Sequence, residues 1–182
     1  MDDASSTSHP GGRRGFPLSD PTSVAEALVA DTLSRCAEQM SLRDSAAVVD
    51  RLRRGDHVVH LACEQELARN VAEYLSYLDS DIKTVYRYEY TCGGQSAGQH
   101  ALELRPIIHL VVLTERRTAA LISVLAALDR ALSQSLAERC GGQEAPSVLN
   151  VHVIADADIR NRAGYAAILF APHWGPVQVW KR

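Results

Sequence analysis

Two apolar runs decide the fold: Ile107-Ile108-His109-Leu110-Val111-Val112-Leu113 and Val148-Leu149-Asn150-Val151-His152-Val153-Ile154-Ala155. Between them lies a stretch, 117–139, in which Leu121, Leu125, Leu128, Leu132 and Leu136 recur at three- and four-residue steps. Such steps place side chains on one helical face, and Ile122 and Val124 widen the stripe enough to cover a sheet. The flanking runs are apolar on consecutive residues rather than alternate ones, as a strand covered on both faces requires. Strand, helix and strand in this order predict a βαβ crossover. The two strands are then parallel, side by side or one apart. Gly141-Gly142 ends the helix, because glycine accepts the left-handed cap without a steric penalty.

Before this core, Asp20-Pro21 is a good helix start, an N-cap followed by proline at the first helical position. Val24, Leu28, Leu33, Cys36, Ala37 and Met40 follow at helical spacing. Ser41-Leu42-Arg43-Asp44 has the form of a capping box with Asp in place of Glu, so a second helix is expected from there to Gly55. Residues 57–62 read either as a short strand or as the start of one helix reaching Leu78. The single helix is preferred, because Val71, Tyr74, Leu75 and Leu78 continue its spacing. A strand is expected over 82–91, with Tyr86, Tyr88 and Tyr90 on one face and Arg87 and Glu89 on the other. The Gly-rich stretch 92–99 should return the chain as a long-looped hairpin, antiparallel to the strand from Ile107.

After Ala155, a helix capped by Asp158 is expected, with a strand from Ala166 as the alternative. Residues 173–176 turn the chain into a last strand at 177–180. Residues 1–19 combine Ser, Gly, Pro and Arg with little to bury and read as a tail; residues 20–182 read as one domain. The predicted class is α/β, with α+β as the alternative: a mixed sheet of roughly four strands, a βαβ crossover and extra N-terminal helices.

Composition narrows function mainly by exclusion. The 182 residues are 46% hydrophobic and 23% charged, ordinary for a soluble globular chain. A formal charge of −3 offers no general attraction to nucleic acid or to an anionic membrane. The acidic, polar start lacks the pattern of a secretion signal, and no apolar run suggests a membrane span. The four cysteines, Cys36, Cys63, Cys92 and Cys140, lie far apart in sequence, without the close pairs of zinc sites. They read as free thiols in a cytoplasmic protein.

Candidate sites come from topology and from spacing. In open α/β sheets, ligands settle beyond the carboxyl ends of the parallel strands. Here those ends carry Glu115, Arg116 and Arg117 after the first strand and Asp156, Asp158, Arg160 and Arg162 after the second. Four arginines beside helix starts suit a small anionic ligand such as a phosphate or carboxylate, or equally a salt-bridged rim. Cys140-Gly141-Gly142, then thirteen residues, then Asp156-Ala157-Asp158-Ile159 formally resembles the nucleotidyltransferase pattern. That resemblance implies magnesium held by Asp156 and Asp158 for phosphoryl or nucleotidyl transfer. The context departs from the family: here the glycines end a helix, the acids follow the strand, and 177–180 lacks a third acid. The simpler role for Asp156 and Asp158 is helix capping.

His57 and His60 have metal-ligand spacing without a third ligand, and His109 and His152 read as core residues bonded to backbone. The tyrosines are expected to pack under the N-terminal helices rather than to stack bases. The expected function is a non-catalytic module without a cofactor, self-associating or binding a protein partner, and holding a small anion. Metal-dependent transfer with Mg2+ is the alternative.

Overall fold

The computed structural model describes residues 20–88, 108–141, 147–164, 166, 169 and 177–182. The expected tail at 1–19, the connection at 92–99 and the turn at 173–176 lie outside them. Among the described residues, five helices and four strands follow in order: α1 (Pro21–Gln39), α2 (Ser45–Arg53), α3 (His57–Leu78), β1 (Ile82–Tyr88), β2 (Ile108–Thr114), α4 (Ala119–Cys140), β3 (Leu149–Ala155), α5 (Asp156–Asn161) and β4 (Val177–Lys181). The sheet order is β3-β2-β1-β4. β2 and β3 are parallel neighbours, whereas β1 runs antiparallel to both β2 and β4. This is the mixed α/β sheet anticipated above, with the crossover strands side by side.

Short polar residues start the helices. Asp20 accepts from the amides of Thr22 and Ser23 at 3.1 and 3.2 Å and caps α1. Asp56 accepts from Val58 and Val59 at 3.1 and 3.3 Å and begins α3, which is why 57–62 is helix and not strand. Ser41 is not a cap. It occupies the left-handed position after α1 (φ 53°), where its own amide reaches Glu38 and that of Leu42 reaches Ala37. Asp44 caps α2 instead, accepting from the Ala47 amide at 2.9 Å. At the far end of α4, Gly141 takes the left-handed conformation (φ 68°), and Arg53 Nε donates to the Cys140 carbonyl at 2.8 Å. An added Cβ at Gly141 would come within 2.8 Å of the Arg53 guanidinium.

Helices α1 to α4 form two layers on one face of the sheet, while Ile159 of α5 packs on the other. α3 lies over β1, β2 and β4, α4 reaches β3, and α1 packs on α3 and α4 from outside, with α2 beside them. Leu28, Val59, Leu67, Val71, Leu75, Leu110, Val112, Leu128 and Leu132 form the center of this core. α4 begins at Ala119 behind a Thr118 cap, two residues later than its apolar spacing suggests. Its leucine stripe is buried, but Ile122 is 40% exposed, because α4 packs more on α1 than on the sheet. By length and mean hydropathy, α4 is the one helix among the described residues that could cross a membrane. Its leucine face, however, is used by the core.

The other face of the sheet carries a smaller cluster of Val111, Ile154 and Ala166. Tyr86 and Tyr88 pack there, away from the N-terminal helices, contrary to expectation. Register decides this: Val85 joins the helical core, so Tyr86 and Tyr88 must project the other way. Arg87 then points back under the helices and is only 7% exposed.

Candidate functional site

The register Thr114↔Ala155 brings the carboxyl ends of β2 and β3 to one edge of the sheet. β4 is antiparallel to β1, so its end at Lys181 arrives at the same edge beside the start of β1. Three strand ends therefore converge, and their flanking residues form a charged rim. Among the described residues, seven basic side chains (Lys83, Arg116, Arg117, Arg160, Arg162, Lys181 and Arg182) stand there against five acidic ones (Asp79, Asp81, Glu115, Asp156 and Asp158). In a chain of net charge −3, this excess is local to the rim.

Part of the rim is tied together. Lys83 donates to Asp156 Oδ2 at 2.7 Å and approaches Glu115 at 3.5 Å. Its hydrogen bond to the Asp156 carboxylate holds the Lys83 ammonium above its ordinary range. Arg116 forms an ion pair with Asp81 at 2.9 Å, and Arg182 donates to the Ser80 carbonyl. Exposed pairs like these contribute little to stability, because solvent screens them and ordering two long side chains costs entropy. Arg117 and Arg160 are exposed and make no hydrogen bond or ion pair among the described residues.

Asp158 does cap α5, but from inside its first turn. Its Oδ2 accepts from the Ala155 amide at 3.0 Å, which is half of a capping box, since Ala155 has no side-chain acceptor to complete it. Asp158 is therefore not the N-cap residue that the sequence pattern indicates. α5 is only six residues long and ends at Arg162 in a left-handed conformation (φ 48°). The alternative strand from Ala166 falls largely outside the described residues.

A shared metal fits this arrangement poorly. One carboxylate oxygen of Asp156 is occupied by Lys83 and one of Asp158 by a backbone amide. Among the described residues, no group of three His, Cys, Asp or Glu side chains is arranged to hold a metal ion. His60 is engaged otherwise, its Nε2 lying 3.2 Å from the Leu52 carbonyl. His109 and His152 share the sheet face that carries the small cluster, and burial pulls the His152 imidazole below its ordinary value. Lys83 is the rim residue that sequence pattern missed. Nothing local marks it, because its role depends on β1 pairing antiparallel to β2.

No family model, curated protein or solved structure matches this chain. The described residues form an α/β fold with a basic edge where three strand ends meet.

Proposed function

We propose that the protein is a non-catalytic cytoplasmic module that holds a small anion at this rim and self-associates. The observation that carries the reading is the local excess of base in an acidic chain, with Arg117 and Arg160 uncommitted among the described residues. Arginine's planar fork suits phosphate or carboxylate, and strand carboxyl ends are where α/β sheets commonly bind ligands. Cys36, Cys63 and Cys140 are free thiols, in keeping with a reducing compartment.

Inorganic phosphate or citrate, added at constant ionic strength, is expected to raise the melting temperature by mass action. The Arg117→Ala/Arg160→Ala double variant should keep the basal melting temperature and lose the shift. An equal shift in the variant would remove the rim as the binding site.

The transfer-enzyme alternative makes a different forecast. A metal between Asp156 and Asp158 would relieve their repulsion and stabilise the fold. With both acids engaged structurally, magnesium is expected to leave the melting temperature unchanged. Asp158→Ala should then cost about 0.5–2 kcal/mol as a lost cap, while Asp158→Asn, still an acceptor, should cost less. A magnesium shift abolished by Asp156→Asn/Asp158→Asn would favour the enzyme.

Self-association has a structural motive in the sheet edges. β3 and β4 are the outer strands, and no described strand pairs with their outer sides. Tyr88 lies on the inner strand β1, and Trp180 is half-buried against the main core. Val177, 49% exposed on β4, is the apolar residue left at that edge. Edge pairing across a two-fold axis is the expected arrangement. Light scattering at tens of micromolar should report a dimer; a monomer mass would remove this part of the reading.

A further inference from the structure

The two outer strands are not alike. β4 is five residues long, its register on β1 shifts between Val85 and Tyr86, and it ends in Lys181. Shortness, a bulge and a terminal lysine are devices that keep an edge from pairing. β3 carries none of them. Its seven residues pair with β2 in unbroken register from Ile108↔Leu149 to Thr114↔Ala155, and they include no charged residue and no proline. The Ile108 amide donates to the Val148 carbonyl. Backbone groups of successive residues point to opposite sides of a strand, so those of Val151 and Val153 turn away from β2, where no described strand meets them. The side chains agree: β2 is largely buried, whereas on β3 Asn150 is exposed and Val151, His152 and Val153 are half-buried.

α4 lines the same edge. Asp129 accepts from the amides of Val148 and Leu149 at 2.7 and 2.8 Å, which sets that side of the helix over the start of β3. Ile122 lies two turns back on the same side, about 10 Å along the helix, and therefore level with the middle of β3. It is 40% exposed there, with Ala126 and Arg130 exposed behind it at four-residue steps. We propose that a second copy of this chain pairs with β3, strand against strand and antiparallel about a two-fold axis through its middle, so that the two sheets become one. The proposal rests on the self-association read above and assigns it to one edge. Two features fit a second copy. An uncharged strand laid antiparallel on itself meets no like charge, and the axis brings two copies of Ile122 to one level. The same operation brings Arg130, about 12 Å from Ile122 along α4, level with the acidic first turn of the other copy's α5. Apolar contact then sits at the centre and opposite charge at the rim, as in stable interfaces.

The test uses light scattering on the full chain at tens of micromolar, where the wild type is expected as a dimer. Asn150→Lys/Ile122→Lys puts charge on the edge strand and on its flank. Its mass is expected to fall by half with the circular dichroism unchanged. Val177→Lys, at the other edge, should keep the dimer mass. A dimer that survives the β3 variant, or that falls apart with Val177→Lys alone, overturns the assignment and leaves self-association standing. A monomeric wild type removes both. Should the β3 variant fail to fold, hydrogen exchange in the wild type decides. The amides of Val151 and Val153 should exchange faster as dilution moves the mass toward the monomer, and those of β4 should not. Faster exchange at β4, or at neither edge, overturns the proposal.

Discussion

Leu128→Ala is expected to destabilise the protein by about 2–5 kcal/mol. Leu128 is 1% exposed and lies midway along the stripe by which α4 meets α1 and the sheet. Truncation removes three carbon atoms from a site enclosed by other leucines and valines, and helices at both ends of their packing cannot collapse to fill it. The lost transfer energy and the residual cavity therefore add. Ile122→Ala is the matched control, since Ile122 shares the helix but is 40% exposed. Chemical denaturation should separate the two by more than about 1.5 kcal/mol. A Leu128→Ala loss below about 0.5 kcal/mol, in the range of surface substitutions, would mean that α4 does not pack as described.

Asp129→Ala is expected to cost nearly as much, about 2–4 kcal/mol, through backbone rather than core. Asp129 Oδ1 accepts from the amides of Val148 and Leu149 at 2.7 and 2.8 Å. It thereby anchors the start of β3 to the middle of the helix that precedes it. Hydrogen bonds to a charged acceptor contribute about 1.5–3 kcal/mol each, and two half-buried amides would lose their partner together. The effect should propagate, because the Val148 carbonyl accepts from the Ile108 amide at 2.8 Å and so sets the register of β3 on β2. Asp129→Asn retains an acceptor oxygen and should recover about half of the loss. Hydrogen exchange gives the structural check: Leu149 to Val151 should lose protection first in the alanine variant. Unchanged protection there would show that another contact fixes the register.

The parallel pair was legible because both faces of β2 are buried, and the chain records this as an unbroken apolar run. Ile108, Leu110 and Val112 face the helices, while Val111 joins the opposite cluster. The leucine spacing of α4 and the helical end at Gly141 were readable for the same reason: each is a local property of a short stretch. The start of α3 could have been read outright from Asp56, whose capping role needs only the residues that follow it. Ser41 misled because a serine before a helix and a left-handed serine after one look alike in sequence. The face of the tyrosines was not legible. Alternation places Tyr86 and Tyr88 together, but only pairing with β2 says which side holds the helices.

By itself, then, the sequence determined the order of elements, the crossover, and the presence of charge at the ends of β2 and β3. These depend on local periodicity and on capping chemistry, which act over a few residues. Tertiary structure alone decided that β1 lies between β2 and β4, and hence that Lys83 meets Asp156, 73 positions away, at 2.7 Å. It also decided that Asp129 holds the start of β3. Such contacts join residues whose separation along the chain carries no periodic signal. They follow from burying the stripes of α1, α3 and α4 against one sheet, which fixes how the strands and helices are placed.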